Sequence, residues 1–262
     1  MNLTVARLDL RLRRRAMIGY AVGLAAYAFA IVALYPSFKN DATLNQLTES
    51  NPALMAAFGV SGSLTSPVGW LNANLFNNFL PLIVIVLTIG YGAWCIAGQD
   101  EDGTLALIAT LPLTRARIVL DKSIALLVQA LPAVLLSYLC VLAGRAFELP
   151  VAIGPLTAVA VATLLLAVDF GAFAMLVGAL TGSRGVALGV AAGAAAAAYL
   201  ISSLAPVIDW LNPVRYWSPF YWALGNDPLD NGASAPAMIA LLATALVLLA
   251  AGAVVFRRTD VR

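Results

Sequence analysis

Six stretches of this chain are each apolar for about twenty residues or more, and that spacing leaves little freedom in the choice of fold. They cover roughly 16–36, 75–98, 123–144, 152–181, 185–208 and 236–256. About twenty apolar residues in helical form cross a hydrocarbon core. Inside lipid every backbone N–H and C=O must be satisfied within the segment, which a helix does by itself. Of 262 residues, 62% are apolar and 11% charged, against about half and a quarter in a soluble domain. The predicted fold is an all-α integral membrane protein: one transmembrane domain over 1–262, with six transmembrane helices. Between the fourth and fifth stretches only the break at 181–185, with Gly182 and Arg184, separates two apolar runs. A single span of that combined length does not fit a bilayer, so two helices joined by a tight turn are expected.

The basic residues orient these spans. Placing the N-terminus inside puts Arg7, Arg11, Arg13, Arg14, Arg15, Arg115, Arg117, Lys122, Arg184, Arg257, Arg258 and Arg262 on the inner side. Only Lys39, Arg145 and Arg215 then lie outside. Twelve of fifteen basic residues inside is the asymmetry that sets topology in membranes. Both termini are therefore expected in the cytoplasm of a bacterial plasma-membrane protein. The first apolar run has no small-residue cleavage pattern after it and reads as an anchor.

Several classes of chemistry are excluded or unsupported. The chain has no histidine, and Cys95 and Cys140 lie inside apolar runs, so no disulfide framework is implied. Gly59-Val60-Ser61-Gly62 resembles the serine motif of intramembrane rhomboid proteases, but that dyad needs a histidine base. No Gly-x-x-x-x-Gly-Lys-Ser/Thr loop is present to cradle nucleotide phosphates. A net charge of +2 gives no reason to expect a nucleic-acid partner.

Three segments outside the spans carry pattern. In residues 1–15, Val5, Leu8 and Leu12 share one helical face opposite Arg7, Arg11 and Arg14. That suits a short helix in the inner interface with its arginines on anionic headgroups; a basic stub that only sets topology is the other reading. The external loop 37–74 holds Leu44, Leu47, Leu54, Met55 and Phe58 among polar residues, as a short amphipathic helix would. The external segment 209–235 gathers Trp210, Tyr216, Trp217, Phe220, Tyr221 and Trp222 around Pro213 and Pro219. It is expected to form either an aromatic interface belt or a re-entrant hairpin.

The inner loop 99–122 is the most informative. Asp100, Glu101 and Asp102 precede Gly103 and Thr104, which can start a helix with the acids near its positive end. Leu105, Leu107, Ile108 and Leu111 supply an apolar face, and Pro112 ends it. Thr114 can cap a following helix that carries Arg115 and Arg117 towards Asp121 and Lys122. A loop that only connects two spans needs neither three acids nor an apolar stripe.

This stretch resembles the coupling-helix signature of type-2 ATP-binding-cassette transporter permeases: an acidic pair, Gly-Thr, an apolar helix, a Pro, and an Arg followed by a Lys. Other pieces look familial in order and placement. They are Pro67-Val68-Gly69-Trp70-Leu71, Ser218-Pro219-Phe220-Tyr221, Pro228-Leu229 with Asn231-Gly232, and Phe256-Arg257-Arg258-Thr259-Asp260-Val261. The family usually has Glu-Glu where this chain has Asp100-Glu101-Asp102, with the charge kept. The resemblance implies an exporter half-transporter that dimerises with a second permease copy or close paralogue. It implies a separate cytoplasmic ATPase docked on the loop, with ATP and Mg held by that partner and no cofactor or catalytic site in this chain.

Two features stand outside that resemblance. Gly185, Gly189 and Gly193, followed by Ala197, form a small-residue stripe that lets a helix approach closely, within the chain or across a dimer. Asp169 lies deep in the fourth span, where a carboxylate is expensive. It is either a structural acid or the ion site of a proton- or ion-coupled secondary transporter. A non-transporting membrane scaffold is the third functional class consistent with the composition.

Overall fold

The computed structural model describes residues 4–41, 46, 63–110 and 112–258. The helix expected from Leu44 to Phe58 and the Gly59-Val60-Ser61-Gly62 motif lie outside them. The described residues are helical throughout, without a strand. Six helices or helix runs are long and apolar enough to cross a membrane: Arg14–Phe38, Pro67–Glu101, Arg115–Phe147, Ile153–Thr181, Arg184–Leu204 and Ala235–Arg257. The protein is thus a multi-pass membrane protein by length and composition of its helices.

The individual helices are α1 (Thr4–Leu12), α2 (Arg14–Phe38), α3 (Pro67–Leu71), α4 (Phe79–Ala93), α5 (Gln99–Glu101) and α6 (Thr104–Ala109). They continue with α7 (Arg115–Leu142), α8 (Ile153–Thr181), α9 (Arg184–Leu204), α10 (Pro219–Leu224), α11 (Pro228–Asn231) and α12 (Ala235–Arg258). A π turn at Asn72–Phe76 joins α3 to the approach to α4, and a second at Trp94–Gly98 joins α4 to α5. Together they make one long second span.

Two spans start earlier than their hydropathy suggests. The second begins at Pro67 rather than near 75. Pro67 occupies the first helical turn, where its missing N–H costs nothing, and Ser66 Oγ accepts the Gly69 N–H at 3.1 Å. The asparagines that follow read as loop on any hydropathy scale, but the amides of Asn74 and Asn78 are used inside the protein. Asn74 Nδ2 donates to Trp70 O at 2.9 Å, and Tyr199 Oη donates to Asn78 Oδ1 at 2.5 Å. The third span begins at Arg115, not near 123. Thr114 caps it by accepting the Arg117 N–H at 3.3 Å, and Asp121 and Lys122 enter the bundle instead of lying in a loop.

α8 is the central helix, packed against α4, α12, α9 and α7, while α2 lies against α7. The tightest crossing in the bundle is α4 with α8, and it depends on glycines that the sequence reading did not single out. A Cβ added at Gly92 would collide with the Gly171 carbonyl. One added at Gly171 would stand 2.6 Å from Leu126 Cδ1 and 2.9 Å from Thr88 Cβ. Close backbone approach through small residues is how helices associate where no hydrophobic drive separates protein from lipid.

Gly185, Gly189 and Gly193 differ. All three are exposed, and a Cβ at Gly189 or Gly193 would meet nothing within 4 Å. The inward face of α9 is made by Ala187, Ala191 and Ala195 instead. At Gly189 and Gly193 the stripe therefore packs against none of the described residues. Gly171→Ala is expected to destabilise the fold by about 1–3 kcal/mol through overpacking. Gly189→Ala should be neutral or stabilise the single chain by up to about 1 kcal/mol through helix propensity. Unfolding midpoints of the two variants in detergent check both.

Candidate functional site

The helix α1, the end of α12, the α5/α6 loop and the 182–183 turn gather at one end of the bundle, the end rich in arginine. Arg115 Nη1 donates to Phe256 O at 3.2 Å, and Glu101 Oε1 accepts the Arg184 N–H at 2.9 Å. The loop expected at 99–122 is built in steps that follow from its residues. α5 carries Asp100 and Glu101 at the foot of the second span. The chain then turns at Gly103, whose φ of 69° is left-handed and favours glycine. Thr104 opens α6 and donates from Oγ1 to Gln99 O at 3.2 Å.

The apolar residues of α6 do not share one outward face. Leu105 and Ile108 are buried in a cluster with Val5, Ala6, Ile118 and Val119, whereas Leu107 is 71% exposed. Leu111 lies outside the described residues. Asp102, Gly103, Thr104 and Pro112 are exposed around Leu107. Only Leu107 among the described members of that set is free to meet a partner. Leu105 and Ile108 instead fasten the helix to the bundle.

What fastens it further is a buried polar network that sequence patterning missed. Asp9 on α1, Gln99 on α5 and Lys122 on α7 are fully buried, as is Tyr91 on α4. Lys122 Nζ lies 3.2 Å from Asp9 Oδ2 and 2.5 Å from Gln99 Oε1, while Gln99 Nε2 donates to Asp9 Oδ1 at 2.9 Å. Tyr91 Oη sits 2.8 Å from Asp9 Oδ2 and 3.2 Å from Lys122 O. One residue before Lys122, Asp121 pairs with Arg117 Nε at 3.0 Å and accepts the Val5 N–H at 3.3 Å. Lys122, expected among the residues facing a partner, is therefore committed to the interior. Its charge is opposed by Asp9, and each side chain has further polar neighbours, the condition under which a buried pair is tolerated.

The same network sets the face of α1. The helix forms, but its inward residues are Val5, Ala6 and Asp9; Leu8 and Leu12 are exposed. The expected apolar face of Val5, Leu8 and Leu12 thus gives way to one that includes an acid. Asp9 is the only acid in the first fifteen residues, four positions after Val5, and that lone charge of opposite sign was the available signal.

The remaining candidates are dispersed. Asp169 on α8 is 3% exposed, and neither of its carboxylate oxygens has a hydrogen-bond partner among the described residues. At the opposite end of the bundle the aromatic segment folds into short turns and helices. Phe220 is buried against Phe170 and Tyr199 at ring separations of 5.7 and 5.5 Å. Trp210, Tyr216 and Trp217 are exposed, and Trp222 Nε1 donates to Tyr216 O at 2.7 Å. Arg215 lies 5.1 Å over both the Tyr216 and Tyr221 rings, and its hydrogen bond to Tyr216 Oη lowers that phenol below its ordinary pKa.

Replacing Lys122 with Met leaves Asp9 buried and unpaired, so the variant should lose about 3–5 kcal/mol of stability. Adding Asp9→Asn should recover much of that loss. A double-mutant cycle on unfolding midpoints measures the coupling; strictly additive effects would rule the network out as a cooperative unit.

Comparison with known families supplies the context for this end of the bundle. A family profile described as "ABC-2 family transporter protein" matches residues 3–261, nearly the whole chain. Comparison with curated proteins finds no match. With a match of that extent laid over six membrane-spanning helices, the chain belongs to the ABC-2 family of transporter membrane proteins.

Proposed function

We propose that this chain is the permease subunit of an ATP-binding-cassette exporter. It pairs with a second permease copy and is driven by a separate cytoplasmic ATPase that holds ATP and Mg. The observation that carries the reading is the arrangement of α6. One large apolar side chain, Leu107, points outward among Asp102, Gly103, Thr104 and Pro112, while Leu105 and Ile108 tie the same helix to the bundle. An exposed apolar anchor ringed by polar groups is the anatomy of an interface hot spot. A push on Leu107 is delivered to α5 and, through Gln99, to Asp9 and Lys122, so partner movement reaches α1 and the second and third spans together.

In this reading Asp100, Glu101 and Asp102 and the basic side chains of Arg115 and Arg117 form the rim. Rim charges steer association and contribute less to affinity than the anchor. The exposed stripe of Gly185, Gly189 and Gly193 on α9 supports pairing with a second copy, because none of the described residues covers Gly189 or Gly193.

Leu107→Asp should weaken ATPase retention by roughly 30-fold, the loss typical of a central anchor. The permease should still insert in the membrane. Co-purification of the ATPase and transport-stimulated ATP hydrolysis read the effect, and full retention with normal transport would refute α6 as the docking element. Separately, Gly189→Leu should shift the permease from dimer to monomer in cross-linking and light scattering. An unchanged dimer would place the interface elsewhere.

A further inference from the structure

A second feature lies on the face of the bundle between α2 and α4. A cavity of about 500 Å³ opens there, lined by Ala16, Gly19, Tyr20, Gly23, Tyr27 and Phe79, with Leu24 and Ile83 completing it. The lining is apolar apart from two phenol groups, and one of these, Tyr27 Oη, is already used by Asn74 O at 2.9 Å. A Cβ at Gly19 or at Gly23 would meet nothing within 4 Å, so none of the described residues fills the groove there. From Ala16 to Tyr27 the groove follows eleven residues of α2, about 16 Å at helical rise. That is close to the depth of one leaflet, half of a hydrocarbon core about 30 Å thick.

The end of the groove nearest the arginine-rich side is positively charged. Arg13, directly before α2, donates from Nη1 to Gly90 O at 3.1 Å and lies 5.4 Å over the Trp94 ring. Arg184, at the start of α9, brings its Cδ beside Gly98 and the same indole. Arg13 and Arg184 thus approach the same stretch of the second span, close enough for their charges to repel. Burial and the neighbouring Arg184 both lower the pKa of Arg13. Among the described residues no carboxylate lies within ion-pair distance of either guanidinium; Glu101 reaches only the Arg184 backbone N–H. The Asp9 carboxylate is turned to Lys122 and Gln99, away from this surface.

We propose that the groove binds one anionic membrane phospholipid, with an acyl chain along Gly19 and Gly23 and its phosphate on Arg13 and Arg184. The two halves of the site match the two halves of that ligand. An apolar trough open to lipid accepts a chain, and a guanidinium pair one turn below it accepts a phosphate through charge-assisted hydrogen bonds. The phosphate also relieves the repulsion between the two cations. Arg13 sits where α2 leaves the hydrocarbon, the level at which headgroups lie. The site does not depend on the transport reading; it adjoins the glycine stripe of α9 only at Arg184, which precedes Gly185.

The test uses the full-length protein in nanodiscs of equal parts phosphatidylglycerol and phosphatidylcholine. Lipid retained after detergent stripping is read by native mass spectrometry. The wild-type chain should keep phosphatidylglycerol in preference. Arg13→Gln should reduce that preference by about tenfold, the scale of one charge-assisted hydrogen bond, and Arg13→Lys should restore part of it. Gly23→Leu, whose Cβ would meet nothing within 4 Å, fills the trough and should abolish retention of both lipids. Equal retention of the two lipids by the wild type, or unchanged retention in both Arg13→Gln and Gly23→Leu, would overturn the proposal. So would competition by free glycerol phosphate as effective as that of the lipid, since this makes the site one for small anions. A chain-to-chain disulfide formed by Gly23→Cys in nanodiscs would also overturn it, because a second copy then fills the groove.

Discussion

The ion pair of Lys122 with Asp9 holds together everything at the arginine-rich end of this protein. Three segments far apart in sequence meet on it: α1, the foot of the second span at Gln99, and the first turns of α7. A buried pair of this kind adds little net stability over apolar residues of the same shape. Its effect is on specificity, because either charge alone would be intolerable and each accepts one register only. The position of α1 against α7, and of α5 against both, follows from that requirement. Since α6 hangs from α5 by the Gly103 turn and is pinned by Leu105 and Ile108, the outward aim of Leu107 is a consequence of the same pair.

The six spans were legible because a bilayer filters sequences by hydropathy more strictly than any soluble core does. What hydropathy could not show are the polar residues that the protein satisfies internally. Asn74 and Asn78 look like loop residues until their amides are placed against Trp70 O and Tyr199, and so the second span was started too late. Asp121 and Lys122 look like a solvent-facing charge pair until their partners on α1, α5 and within α7 are known. Apart from Arg117, four residues before Asp121, the partners lie more than twenty to more than a hundred residues away, so the neighbouring sequence carries no hint of them. The loop that resembles a coupling element was readable as a pattern of acids, Gly103, apolar residues and Pro112. Its division into one exposed leucine and two buried residues was not, because that depends on α1 lying against it.

The glycines teach the same lesson in reverse. A four-residue period made Gly185, Gly189 and Gly193 conspicuous, while Gly92 and Gly171, isolated in different spans, were not. Yet the isolated pair makes a close backbone approach between α4 and α8, while a Cβ at Gly189 or Gly193 would meet none of the described residues. Period marks a face of a helix; it does not say whether another helix lies there.

Asp169 and the glycine stripe together show how a membrane changes the meaning of an unpartnered group. In water an exposed glycine on a helix needs no explanation beyond its small loss of helix propensity. In lipid, where association rests on packing and not on hydrophobic drive, a glycine facing acyl chains forfeits contact and gains nothing. Three such residues on one face of α9 are accounted for if a second helix approaches them, which is the physical case for pairing through that face. Asp169 runs the other way. It is enclosed by the chain, with no hydrogen-bond partner for either oxygen among the described residues, so no approach from outside can account for it. Contrast with Asp9, whose carboxylate is met by a lysine, a glutamine and a tyrosine, separates the two acids by role. Asp9 organises the end of the bundle where a partner is proposed to dock, and Asp169 marks a place inside the span where a charge has nothing to answer it.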